Sequence, residues 1–482
     1  MSMRRRLLSA SALLSVSACS LAPPLQMPEP PVPQSWPVGD TYLARNEAAL
    51  PVVTYSDVFR DPRLQRLIET ALVENRDLRT AYANLAAARA QVRVVRAGQF
   101  PEVGVNAGVS TSRNGASGTT VGAGETRTSY NLQGGVSAFE LDLFGRLADA
   151  TEAQRQRAFA TEAVARTIRV ALIAEIATAY ATYAADRDLL SIAEATAASA
   201  RESVRLTRLR LEGGVAPRTD LSQAQQVLAS AEQAIAEQTG ALAQDANLLR
   251  LLVGADVDGA LLPAGLDEVE ASYANLPPGL DSRILLRRPD VIEAEYLLRA
   301  ANADIGVARA ALFPNISLTG LLGLASTALG SLFTGDAFTF SAGASGGYSI
   351  FDAGGRRAGV AVSEAQRDAA IATYEGTIQT AFREIADALA DQGSLAARQR
   401  AASANVEAAA TTAHLTEARY RNGIDSFLDS LIAQRSLFTA RQQLAAIRLA
   451  ELTNRAALYR VLGGDSGNDI PGPNQAPSAE MR

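Results

Sequence analysis

Leu206 to Gly254 lies over Leu415 to Gly463 at a constant offset of 209, without a gap. Within that overlay Leu206-Thr207 meets Leu415-Thr416, Gly214 meets Gly423, Asp220 meets Asp429, Gln225 meets Gln434 and Gly254 meets Gly463. Upstream, Phe100-Pro101 recurs as Phe313-Pro314, and Asp142-x-x-Gly145-Arg146 recurs as Asp352-x-x-Gly355-Arg356 in the same order. Copies of about 200 residues are far longer than solenoid units, so the chain is a duplicated domain closed on itself rather than an open array. Such a body needs both halves to function.

The first eighteen residues carry Arg4-Arg5-Arg6 and then an apolar stretch from Leu7 to Ala18, the charged and short apolar regions of a secretory signal rather than a spanning helix. It ends in Val16-Ser17-Ala18-Cys19, which resembles a bacterial lipobox, where the cysteine becomes the lipid-modified N-terminal residue after cleavage. The plainer alternative is a signal peptide that happens to contain a cysteine. Cys19 is the only cysteine, so no disulfide or thiolate metal site can form within one protomer. Ser20 stands where an inner-membrane retention signal would put Asp, which favours the outer membrane. Residues 19–56, rich in proline from Pro23 to Pro37 and holding Trp36, read as an extended tether from the lipid to the body.

Most chemistry is excluded by what is missing. All 45 basic residues are Arg, and the net charge is −6, more negative still without the three arginines of the leader. That balance argues against nucleic acid, and the absence of lysine removes Schiff-base and P-loop chemistry. The one histidine, His414, lies in an Ala/Thr-rich helical run and supplies neither a triad nor a metal shell. The chain therefore reads as no enzyme, with no metal and no cofactor beyond the covalent lipid on Cys19.

Periodicity divides the rest. Helical patterning starts near Asp61-Pro62 and runs, with a break near Asn75, to Gly98. Then the period becomes two: Val103, Val105, Ala107 and Val109 alternate with Gly104, Asn106, Gly108 and Ser110. Strands are expected near 101–112 and 128–141, and in the second copy near 314–324 and 338–350. These lengths suit tilted strands crossing a bilayer. Four strands cannot close a barrel, and open edges in lipid would strand backbone groups at several kcal/mol each, so other protomers must complete the sheet. A dimer's eight strands would be filled by side chains, whereas a trimer's twelve leave room for water, which suits the small polar faces here. A soluble sandwich with one wet face is the competing reading.

Long helices follow each strand pair, to about Glu212 and Arg421, each roughly 100 Å at the α-helical rise. Val170, Ile173, Ala177, Tyr180 and Ala184 step by 3 and 4, as do Ile371, Tyr374, Ile378, Ala381 and Ile385, the spacing of coiled-coil packing in water. Each helix ends in a tight hairpin turn, at 212–217 and 421–425, with glycine at the helix end. The expected organisation is a signal (1–18), the tether (19–56), a first repeat (57–254), a linker (255–282), a second repeat (283–463) and a flexible tail (464–482). The fold class is thus mixed α and transmembrane β.

Leu285-Leu286-Arg287-Arg288-Pro289-Asp290, Ala294-Glu295, and Ala303-Asp304-Ile305-Gly306-Val307-Ala308 running into Phe313-Pro314 carry a resemblance, with Leu141-Asp142-Leu143-Phe144-Gly145-Arg146 and Tyr420-x-x-Gly423. The mature chain resembles the outer-membrane factor family, the TolC-like exit ducts of Gram-negative tripartite pumps, in its NodT-type lipoprotein branch. The resemblance implies a homotrimer with a 12-stranded outer-membrane barrel continued by a periplasmic helical barrel. It also implies a periplasmic adaptor docked on the hairpin tips, here Gly213, Gly214, Val215, Asn422, Gly423 and Ile424. Beneath these would stand an inner-membrane transporter, of the resistance-nodulation-division type. Family ducts close at their periplasmic end through polar contacts, and the candidates here are Asp425, Asp429, Tyr420 and Asp220. Threefold repetition of these carboxylates would favour cations and raise their pKa values by repulsion, yet Asp in a first helical turn is also simply a good cap. Where the family often carries Asp this chain has Ile432. Alternatives within the family are metal-ion efflux and protein secretion, the first poorly served by four Met and one His. From another class, a lipid-anchored structural coiled-coil protein of the envelope would show no conductance.

Overall fold

The structure is a computed structural model and describes residues 20–33, 54–113, 126–274 and 282–464. The leader, Cys19, Trp36 with most of the tether, the Gly115 to Gly124 segment and the tail lie outside the described residues. Two compact units are present, and each draws on both copies of the duplication. One holds residues up to Glu29, Leu85–Thr161 and Ala294–Tyr374; the other holds Pro30–Asn84, Glu162–Glu293 and the chain from Glu375 onward.

The first unit contains a four-stranded antiparallel sheet in the order β1-β2-β3-β4, with β1 Val103–Arg113, β2 Thr126–Leu141, β3 Asn315–Ser326 and β4 Phe338–Gly347. Val103 pairs with Val136, Leu132 with Leu324 and Leu318 with Ala344. A bulge between Val136 and Phe139 puts Ala138 at φ 66°, its N–H donating to Thr319 Oγ1 at 3.3 Å. β4 ends at Gly347, short of the expected residue 350. Its last partner is Asn315, and the preceding Pro314 has no N–H with which to extend the ladder.

The second unit is helical. It contains α1 Tyr55–Val58, α2 Pro62–Glu74, the start of α3 Arg76–Ala97, most of α4 Arg146–Glu212, α5 Arg218–Val253 and α6 Leu266–Ser272. It also takes the start of α7 Pro289–Ala310, most of α8 Gly355–Arg421 and all of α9 Phe427–Val461. Asp61 caps α2, accepting from the Arg63 N–H at 2.9 Å, and Pro62 fits the first turn. The break at Asn75 serves two helices: its Oδ1 accepts from the Leu78 N–H, and its Nδ2 donates to the Leu252 carbonyl at 2.8 Å. Gly254 makes this approach possible. At φ 76°, a Cβ there would lie 2.6 Å from the Glu74 carbonyl oxygen.

The 3-and-4 stripe of α4 is the core: Ile173, Ala177, Tyr180 and Ala184 are fully buried, as are Ile378, Ala381 and Ile385 of α8. Alanine along the stripe allows close helix approach. One 18-residue window of α4 is apolar enough by composition to cross a membrane, yet 61% of it is buried inside the protein. Tyr180 anchors the stripe, its hydroxyl donating to Asp61 Oδ2 at 2.8 Å. Burial pushes Asp61 upward, but the hydrogen bonds from Arg63 and Tyr180 outweigh it and hold the carboxyl below its ordinary value.

Candidate functional site

In the strand-bearing unit, β1 pairs only with β2, and β4 only with β3, among the described residues, so both outer edges offer unpaired backbone groups. One face of the sheet is apolar and exposed: Val103, Val105 and Val109 on β1, and Phe338 and Phe340 on β4, range from 58% to 75% exposed. Small hydroxyls meet across the strands, Ser110 with Ser129 at 2.8 Å and Ser317 with Ser345 at 2.9 Å. A sheet with open edges and an uncovered apolar band is incomplete as a free body in water. The repeated Asp-x-x-Gly-Arg motif starts each long helix. Asp142 Oδ2 accepts from the Ala148 N–H at 2.8 Å, and Asp352 accepts from the N–H groups of Gly354 and Arg356 at 3.0 and 3.1 Å. Phe144 and Phe313 stack beside the first motif with ring centroids 4.6 Å apart.

In the helical unit the two hairpin turns share one backbone design. Gly214 and Gly423 have φ of 74° and 72°. The Gly214 and Val215 N–H groups donate to the Leu211 and Arg210 carbonyls, and those of Gly423 and Ile424 donate to the Tyr420 and Arg419 carbonyls. Both are Schellman ends. Val215 and Ile424 stand 77% and 64% exposed at the turns. Behind them Val204, Ala224, Phe427 and Leu431 form a small buried cluster with Tyr420 packed against it.

The structure brings Tyr420, Asp425 and Asp429 to the second turn, each with an intramolecular role. Arg419 clasps Asp425 through Nε and Nη2 at 2.7 and 2.8 Å, and this guanidinium holds the carboxyl below its ordinary value. Asp429 completes a capping box with Ser426, taking its hydroxyl at 2.6 Å while the Asp429 N–H donates back at 3.3 Å. Tyr420 lies under the Arg210 guanidinium at 4.5 Å and beside the Phe427 ring at 5.3 Å, and its buried hydroxyl has no partner among the described residues. Asp220 sits in the first turn of α5, where the cap position is Pro217 and makes no side-chain bond. Ile432 is 54% exposed, and His414 is exposed on α8. A groove of about 540 Å³ runs between α5 and α9, lined by Gln223, Gln226, Gln434, Arg435, Phe438 and Gln442 among others.

The chain matches the profile of the family described as outer membrane efflux protein over residues 67–255 and 280–464. The chain belongs to the outer membrane efflux protein family. It is an outer-membrane efflux channel, not an enzyme. Among relatives, an antibiotic efflux pump outer membrane protein, ArpC, and a toluene efflux pump outer membrane protein, TtgC, both of Pseudomonas putida, are each 42% identical over 468 residues, 96% of either chain. The open-state outer membrane channel MtrE of Neisseria gonorrhoeae superposes with a TM-score of 0.84 at 31% identity, covering 93% of this chain and 98% of that one.

Three participants at the turns escaped the sequence reading. Ser426 was detectable from Ser426-x-x-Asp429, a capping-box spacing ahead of an apolar run. Arg210 and Arg419 occupy equivalent places in the duplication, a signal that the overlay contained, but only the fold shows that one reaches Tyr420 and the other Asp425.

Proposed function

We propose that the chain is the passive exit duct of a tripartite pump, assembled as a homotrimer and exporting small toxic molecules of the antibiotic or solvent class. The open edges of β1 and β4 carry this reading. Three copies of a four-stranded sheet pair edge to edge into twelve strands, leaving no free edge in lipid and a lumen wide enough for water. The names of the whole-length relatives support the substrate class. In this reading a periplasmic adaptor docks on Gly213, Gly214, Val215, Asn422, Gly423 and Ile424, and an inner-membrane transporter of the resistance-nodulation-division type supplies the energy. Cys19 carries the covalent lipid. The periplasmic end closes through the second turn, where Tyr420, Asp425 and Asp429 gather, with Asp220 as the first-copy counterpart.

Cysteine pairs, one on β1 and one on β4, test the closure. Oxidation in the membrane is expected to give covalent dimers and trimers and nothing larger. A ladder that stays monomeric for every register, or continues beyond three, contradicts the twelve-stranded reading.

A further inference from the structure

The segment that follows Cys19 is fastened to the strand-bearing unit by the buried side chains of Asp149 and Asn302 and by the half-buried Arg309. Ser20 Oγ donates to Asp149 Oδ1 at 2.6 Å. Asn302 Nδ2 donates to the Pro23 carbonyl at 2.9 Å, and Arg309 Nη1 to the Leu21 carbonyl at 3.4 Å. Asp149 and Asn302 are only 5% and 8% exposed. An acidic residue in the first turn of a helix commonly faces water and complements the dipole. Asp149 is instead covered: burial pushes its carboxyl upward, and the Ser20 hydroxyl and the Leu21 N–H pull it back. Gly306, inside the Ala303 to Ala308 motif, lies within α7 and has no turn to make. A Cβ there would strike Asp149 Oδ2 and lie 2.9 Å from the Ala22 nitrogen.

We propose that Asp149, Asn302, Gly306 and Arg309 form a seat for residues 20–23, which fixes the lipid anchor to the strand-bearing unit and selects a small uncharged residue at position 20. The proposal rests on Cys19 as the anchored residue. Ser20, bonded directly to the residue that carries the lipid, is held against Asp149, which follows the end of β2 at Leu141 by eight residues. The acyl chains then enter the bilayer beside the strands instead of at the end of a free tether. An Asp at position 20 would set a second carboxylate against Asp149. Ser20 therefore meets two requirements at once: it lacks the retention acid, and it fits the seat.

Chymotrypsin digestion of the purified full-length protein, reading release of the N-terminal peptide cut after Leu21 or Leu25 by mass spectrometry, tests the seat. Metabolic palmitate labelling tests the anchor in parallel. Ser20→Ala and Gly306→Ala are expected to release the peptide about tenfold faster, the loss of a hydrogen bond to a buried carboxylate. Asp149→Asn, whose carbonyl still accepts from Ser20, stays near wild type. The Ser20→Ala/Gly306→Ala double variant is no faster than Gly306→Ala alone. The Gly306 result has a distinctive sign, because alanine in a helix interior ordinarily stabilises. Unchanged release in both single variants overturns the seat. If Gly306→Ala prevents assembly, Ser20→Ala, which alters only the strap, decides alone. Wild-type protein that takes up no label overturns the anchor reading, while slow release from that same protein still upholds the seat.

Discussion

The two helical hairpins, α4 with α5 and α8 with α9, have the same turn and different polar chemistry. At offset 209, Gly214 and Gly423 close identical Schellman ends, and Arg210 and Arg419 stand at identical positions. Beyond them the copies diverge. Ala216, Pro217 and Arg218 face Asp425, Ser426 and Phe427, so only the second hairpin has the Arg419 ion pair, the capping box and the aromatic that supports Tyr420. Further along α5 and α9 the bias reverses. Asp245 of α5 lies beside Asp186 of α4, and burial, with the Asp186 charge, pushes its carboxyl up to about 6. Its counterpart on α9 is Asn454, neutral and satisfied by the Ala388 carbonyl at 3.0 Å. Duplication conserved the backbone solution, and each copy then took different charges.

The largest test of the shared backbone is Gly214→Val against Gly423→Val. Each forces a β-branched residue into left-handed φ at a cost of about 1–2 kcal/mol. Both are expected to weaken adaptor binding equally while SDS-resistant trimers persist. Loss of the trimer in either would show that the turns hold more than their own hairpin.

Ser426→Ala against Pro217→Ala probes the divergence. Losing the capping box is expected to cost about 1 kcal/mol, seen as faster amide exchange in the first turn of α9. Pro217, which caps nothing, is expected to change α5 within about 0.5 kcal/mol. Equal effects would erase the asymmetry.

Asp245→Asn installs the second copy's residue in the first. Because the folded carboxyl titrates above its unfolded value, its contribution is full below about pH 4 and is lost as pH rises through about 6. The α4–α5 hairpin should be more protected from amide exchange at pH 5 than at pH 7.5, by on the order of 1 kcal/mol given the partial solvent contact. The variant should flatten that slope, leaving the part that comes from Asp186, whose carboxyl burial also pushes upward, and the α8–α9 hairpin should show none at the Asn454 level.

The features legible in the sequence were those set by local pattern. The ends of α4 and α8 follow from Asp-x-x-Gly-Arg at one end and glycine at the other, and the strands from strict alternation in a Gly/Ser-rich setting. What could not be read depends on residues distant in sequence. β4 stops at Gly347 because Pro314 lies across the ladder. Arg210 reaches over the Tyr420 ring from the other copy, and Ser20 meets Asp149 across 129 residues. No periodicity encodes such pairings.

The most direct measurement of the central claim is single-channel conductance of the purified protein in planar bilayers, wild type against Asp425→Ala/Asp429→Ala. The account predicts a small, cation-selective conductance in the wild type. The double variant frees Arg419 from its carboxylate partner, so selectivity should shift away from cations. An unaltered conductance would return both aspartates to turn and cap roles within their own hairpin, and no conductance under any condition would contradict the duct itself.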